Sequence, residues 1–164
     1  MSITTTTHLN FRGTARQALE FYQGVFGGDV RLATYGDFGM PADAPGADKV
    51  VFGQVENAEG LRLMAYDVPG ATEDHAGEDH AGEDHAATAG TTTRENGVTV
   101  TDRTFFQSLR ADSLEELTRY WDALGDGAVI VEPLAASAWS PGFGMLTDRF
   151  GVTWVLDVRA AYAG

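Results

Sequence analysis

PLAASAWSPGFGMLTDRFGVTWVLDV, residues 133–158, reads as two strand-length apolar runs, GFGMLTD and VTWVLDV, around a turn at Asp148-Arg149-Phe150-Gly151. Apolar runs of this length joined through a glycine-containing turn specify a β-hairpin. Gly151 suits a turn position that needs positive φ, while Pro133 and Pro141 keep the preceding loop, with its lone Trp139, out of any helix.

Working outward from this hairpin, VTVTDRTFFQSLR (98–110) reads as a strand and SLEELTRYWDALGD as a helix. Asp112 or Ser113 can cap that helix, and Ser113 with Glu116 has capping-box spacing. Gly125-Asp126-Gly127 ends it, and AVIVEPL is the next strand. The first part of the chain has the same order. HLNFR alternates as a half-buried strand, and Thr14 stands as N-cap before ARQALEFYQGVFGG, whose Ala15, Ala18, Leu19, Tyr22, Val25 and Phe26 recur at helical spacing. DVRLATYGDF, KVVFGQVEN and GLRLMAYDV follow as strands, with GMPADAPGAD as a loop.

Setting Arg12 on Arg110 puts Leu19 on Leu117, Tyr22 on Tyr120, Phe26 on Leu124 and Gly27 on Gly125. At the far ends AYDV (65–68) falls on VLDV (155–158), with Asp67 opposite Asp157. Each half is thus a βαβββ unit that cannot cover its sheet alone. The expected fold is α+β: two paired βαβββ modules, 1–68 and 97–164, forming a curved mixed sheet around a cleft, one compact domain overall. Residues 69–96 separate the modules. They carry EDH at 73–75, 78–80 and 83–85, which holds six of the 24 acidic residues and three of the four histidines. A five-residue period puts His75, His80 and His85 on no common helix or strand face, so the stretch reads as a solvated linker, with metal affinity of the gathered histidines as the alternative.

Composition excludes several function classes. The 164 residues contain no cysteine, so there are no disulfides and no thiolate nucleophile or metal site. A formal charge of −13 argues against nucleic acid and anionic membranes as partners. No apolar run approaches the ~20 residues of a membrane span, and MSITTTTHLNF lacks the regions of a signal peptide, so a cytoplasmic location is expected.

HLNFRGTARQALEFYQGVFGG, LRLMAYDVPG and FGMLTDRFGVTWVLDV together resemble the PhnB-like branch of the glyoxalase/bleomycin resistance/dioxygenase superfamily, also called vicinal oxygen chelate. Some members of that branch carry the label 3-demethylubiquinone methyltransferase. The resemblance covers nearly the whole chain except 69–96, and DRFG-V-x-W is its most specific piece. It implies the paired βαβββ fold, usually as a homodimer. In metal-using members it implies four ligands, typically histidine or glutamine and glutamate, on the first and last strands of the two modules. On this chain those positions fall on His8 (or Thr7), Phe106, Val155 (or Trp154) and Ala65 (or Met64), which supplies one histidine and no carboxylate.

The expectation is therefore a metal-free protein, without cofactor, whose cleft binds a small organic molecule. The candidate lining residues are His8, Asn10, Tyr66, Phe106, Ser108, Trp139, Phe143 and Trp154. Two alternatives stand beside it. One is a metal-dependent lyase, isomerase or dioxygenase of the glyoxalase type with an atypical site on His8, to which Asp67 and Asp157 could add carboxylates. The other is an interaction module using the acidic repeat.

Overall fold

The computed structural model describes residues 3–70 and 92–159. Contacts divide the chain into two compact units, Met1–Glu78 and Asp79–Gly164. The EDH repeat lies outside the described residues.

The first unit runs β1 (Thr7–Phe11), α1 (Ala15–Phe26), β2 (Asp29–Thr34), β3 (Val50–Glu56) and β4 (Arg62–Asp67). Its four strands form one sheet in the order β1-β4-β3-β2, with β1 and β4 parallel and the other pairs antiparallel. The apolar stripe of α1, Ala15, Ala18, Leu19, Tyr22 and Phe26, is buried, and so are Leu9, Phe11, Val55, Leu63 and Ala65 of the sheet. Full burial of a Leu or Val side chain contributes about 1.5–3 kcal/mol, so this layer is the main stabilising element of the unit. Gly53 in β3 gives α1 room to approach, because a Cβ there would collide with Leu19 and the Ala65 carbonyl.

The second unit adds a short hairpin, β5 (Thr93–Glu95) and β6 (Val98–Val100). It then repeats the same order as β7 (Gln107–Ala111), α2 (Leu114–Leu124), β8 (Val129–Ala135), β9 (Phe143–Thr147) and β10 (Thr153–Val158). The sheet order is β7-β10-β9-β8, again with the first pair parallel. Leu117, Tyr120 and Leu124 of α2 are buried, as the match to Leu19, Tyr22 and Phe26 requires. Gly144 plays the part of Gly53, with a Cβ there meeting Trp121 of α2 at 2.6 Å.

Several local expectations change. The strand expected over 98–110 is broken into β6 and β7, with 101–106 between them outside any strand. The linker expected to run to residue 96 ends earlier, since Thr93–Glu95 pairs with Val98–Val100. Pro133 lies inside β8 rather than opening a loop. This is the edge strand, and its register slips on either side of Glu132, which is where a sheet tolerates proline. Ser113 caps α2 by accepting from the Glu116 N–H at 3.1 Å. Thr14 makes no such bond to α1.

Candidate functional site

What caps α1 instead is Asp67, from the end of β4. Its Oδ1 accepts from the backbone N–H of Gly13 at 2.8 Å and of Ala15 at 3.0 Å, and its Oδ2 from Val50 at 2.9 Å. This buried carboxylate ties the helix N-terminus, β3 and β4 together, where the positive end of the helix dipole also favours it. Asp157 has a different setting. It is bound bidentately by Arg110, with Nε–Oδ1 at 2.8 Å and Nη2–Oδ2 at 2.7 Å. Both carboxylates of the metal alternative built on His8, Asp67 and Asp157 thus already have partners within the fold.

The register also revises the matching of the two units. Val68 donates its N–H to the Phe11 carbonyl and Arg159 donates to that of Ala111, both at 2.8 Å. Phe11 therefore corresponds to Ala111, and Asp67 to Val158 rather than to Asp157. His8 pairs with Met64 across β1 and β4, while Ser108 pairs with Val155 across β7 and β10. The counterpart of His8 is Ser108, not Phe106, and that of Val155 is Met64, not Ala65. The helices match one way and the strands another because the stretch from Phe11 to Leu19 is two residues longer than that from Ala111 to Leu117.

In the first unit, His8, Asn10, Met64 and Tyr66 share the sheet face that α1 leaves open. The His8 and Tyr66 rings meet edge-on with centroids 5.3 Å apart. Gln54, paired with Met64, adds a polar group whose Oε1 accepts from Arg62 at 3.0 Å. Among the described residues no hydrogen-bonded carboxylate or carbonyl orients the His8 ring, which a general base would need.

In the second unit, Ser108, Val155, Met145 and Phe143 lie on the corresponding face. The β5–β6 hairpin reaches onto that face through Arg94, whose guanidinium sits over the Phe143 ring at 5.3 Å. Arg94 Nη1 donates to Thr99 at 2.7 Å, and its Nε is 3.2 Å from Glu132 without the angle of a hydrogen bond. Trp139, 56% exposed, packs edge-on against Phe143 with centroids 5.3 Å apart. The sequence placed Arg94 in a solvated linker. Its only local signal was the alternation of TRENGVTV around Asn96-Gly97, a hairpin pattern.

Two expected lining residues are placed otherwise. Trp154 is 1% exposed and shares the α2-covered face with Leu156 and Val158. Its indole N–H donates to Asp148 Oδ2 at 2.8 Å. Asp148 Oδ1 accepts from the Phe150 and Val152 N–H groups at 2.9 and 3.0 Å, so the D-R-F-G-V-x-W motif is a turn-building device. Phe106 precedes β7 and is half-buried, outside the sheet. The remaining six candidates fall into two groups: His8, Asn10 and Tyr66 in the first unit, and Ser108, Trp139 and Phe143 in the second.

With this geometry in hand, the chain can be set beside known proteins. Residues 7–156 match the family described as Glyoxalase/Bleomycin resistance protein/Dioxygenase superfamily. Among solved structures, the chain is similar to protein PA1353 from Pseudomonas aeruginosa at 26% identity, covering 96% of this chain and 98% of that one, with a TM-score of 0.67. It is similar to the putative 3-demethylubiquinone-9 3-methyltransferase, PhnB protein, from Bacillus cereus at 21% identity, 96% and 100% coverage and a TM-score of 0.64. A glyoxylase/bleomycin resistance protein/dioxygenase domain from Frankia shares the fold at 14% identity, 98% and 99% coverage and a TM-score of 0.54. No curated protein matches the chain.

Proposed function

The chain belongs to the Glyoxalase/Bleomycin resistance protein/Dioxygenase superfamily, and on that premise we propose that it is a PhnB-like protein that binds a small organic molecule without a metal. The observation that carries this reading is the register of the first and last strands. Where metal-using relatives are expected to place four ligands, the open faces offer His8, Met64, Ser108 and Val155. One imidazole, a thioether, a hydroxyl and an isopropyl group do not fit a divalent ion, which needs three or four convergent nitrogen, oxygen or thiolate donors. A charged ion beside either Met64 or Val155 would lose hydration without replacement.

The same faces suit an apolar or aromatic ligand. His8 with Tyr66, and Trp139 with Phe143, form edge-on ring pairs, with Arg94 over one face of Phe143 and Trp139 56% exposed, which gives each unit aromatic surface for a ligand. Asn10 and Ser108 supply neutral hydrogen-bonding groups beside them. A homodimer in the cytoplasm is part of the proposal, as members of this branch usually pair; among the described residues no helix is long and apolar enough to cross a membrane. The test is calorimetric titration with a panel of uncharged aromatic compounds. Saturable binding that weakens about tenfold in Tyr66→Ala or Phe143→Ala supports the reading. Turnover of a glyoxalase-type substrate that requires added metal and His8 would favour the enzyme instead.

A further inference from the structure

One polar side chain on the first unit's sheet is buried and yet incompletely used. Gln54 stands in β3 and is 6% exposed. Its Oε1 accepts from Arg62 Nη2 at 3.0 Å and from Arg62 Nε at 3.3 Å. A guanidinium only donates, so this contact fixes which end of the carboxamide is oxygen and turns the NH2 end away from Arg62. Other amides serve the fold: Gln23 Nε2 donates to the Gly28 carbonyl at 3.1 Å and Asn57 Nδ2 to that of Phe26 at 3.0 Å. Gln54 Nε2 donates to nothing among the described residues. Arg94 Nε is the one fully buried side-chain nitrogen or oxygen among them that lacks a hydrogen-bond partner, so Gln54 Nε2 keeps some access to solvent. Resting on the metal-free binding reading, we propose that Gln54 determines specificity in the first unit: the ligand is a neutral aromatic carbonyl compound whose oxygen accepts from Gln54 Nε2.

Cross-strand register sets the shape of that ligand. His8 pairs with Met64, Met64 with Gln54 and Gln54 with Arg31, so the four form one row across the sheet. Gly53 faces Leu19 of α1, which puts its neighbour Gln54 and the whole row on the opposite face. His8 and Gln54 are two strand spacings apart, about 10 Å. Met64 stands between them with a thioether, which makes favourable contacts with aromatic rings. Tyr66, two residues beyond Met64 on the same face, meets His8 edge-on. A flat bicyclic ring lying on Met64 thus has the His8–Tyr66 pair on one side and the Gln54 amide on the other.

Charge argues for a neutral ligand. Both guanidiniums beside Gln54 face the Glu56 carboxylate, Arg62 Nε and Arg31 Nη2 each at 3.9 Å. The group left to read a ligand is therefore an uncharged donor. A buried donor that a ligand leaves unpaired counts against that ligand, which is how such a group discriminates.

The test compares 1-indanone with 1-methyleneindane, which have the same shape and differ by a carbonyl oxygen against a methylene. The full chain, labelled with ¹⁵N, should bind 1-indanone saturably below about 1 mM and at least about tenfold more tightly than 1-methyleneindane. Apolar burial alone would favour the hydrocarbon. The Gln54 side-chain NH2 resonances, identified by their loss in Gln54→Glu, should shift with 1-indanone. In Gln54→Glu, which keeps a partner for Arg62, and in Gln54→Met, which keeps the length, the preference should vanish or reverse. A merely structural role would weaken both ligands alike and leave their ratio unchanged. The proposal is overturned if the parent shows no preference, if either variant retains it, or if 1-indanone binds while the Gln54 NH2 resonances stay still. Equal saturable binding of both compounds would sink this specificity and leave the metal-free binding reading standing. Failure of every uncharged aromatic compound to bind would end both.

Discussion

At the scale of single residues, two aspartates with near-identical sequence surroundings do unlike work. Asp67 in AYDV and Asp157 in VLDV align by eye, but they point to opposite faces of their strands. Asp67, 3% exposed, satisfies three backbone donors, and Asp157 holds an Arg110 that is largely exposed. Asp67→Ala strands buried N–H groups and should cost about 3 kcal/mol or more. Asp157→Ala removes a partly exposed pair and should cost about 1 kcal/mol or less. Urea melts of the two variants check the difference, and equal losses would undo this assignment. The sequence could not decide it, because a one-residue slip keeps the same apolar flanks while it exchanges the faces.

At the scale of elements, the helices were legible and the strand ends were not. Leu19, Tyr22 and Phe26 against Leu117, Tyr120 and Leu124 are long, strongly periodic signals, and all six side chains are buried. Trp154 was misplaced for the same reason as Asp157: alternation in VTWVLDV identifies a strand but not which face meets α2. The α1 cap was hidden because the carboxylate that accepts from its first N–H groups lies over fifty positions away in sequence. The glycines were visible only in part. Gly53 and Gly144 look like weak points in strands, yet at each a Cβ would meet a side chain of the covering helix. Gly144→Ala would press a methyl group on Trp121 and on the Leu134 backbone, and should destabilise by about 1–3 kcal/mol. A thermal scan showing no loss would mean that α2 sits farther from β9 than described.

At the scale of the whole molecule, the duplication read from the sequence holds as two units of one order, each a four-stranded sheet with one helix. The superfamily follows from that order and from the match over residues 7–156. The site was less legible. Six of its eight expected residues fall into two groups, one in each unit, but Arg94 and Gln54 were not foreseen, since their roles arise from hairpin placement and cross-strand register. The central proposal is that, among the described residues, this register offers no set of side chains fit for a divalent metal. It is tested by the metal content of the full chain carrying His75→Ala, His80→Ala and His85→Ala, incubated with zinc, nickel or ferrous iron and then desalted. The account predicts no stoichiometric metal, and the same result after His8→Ala. One tightly held metal per chain, lost in His8→Ala, would contradict it.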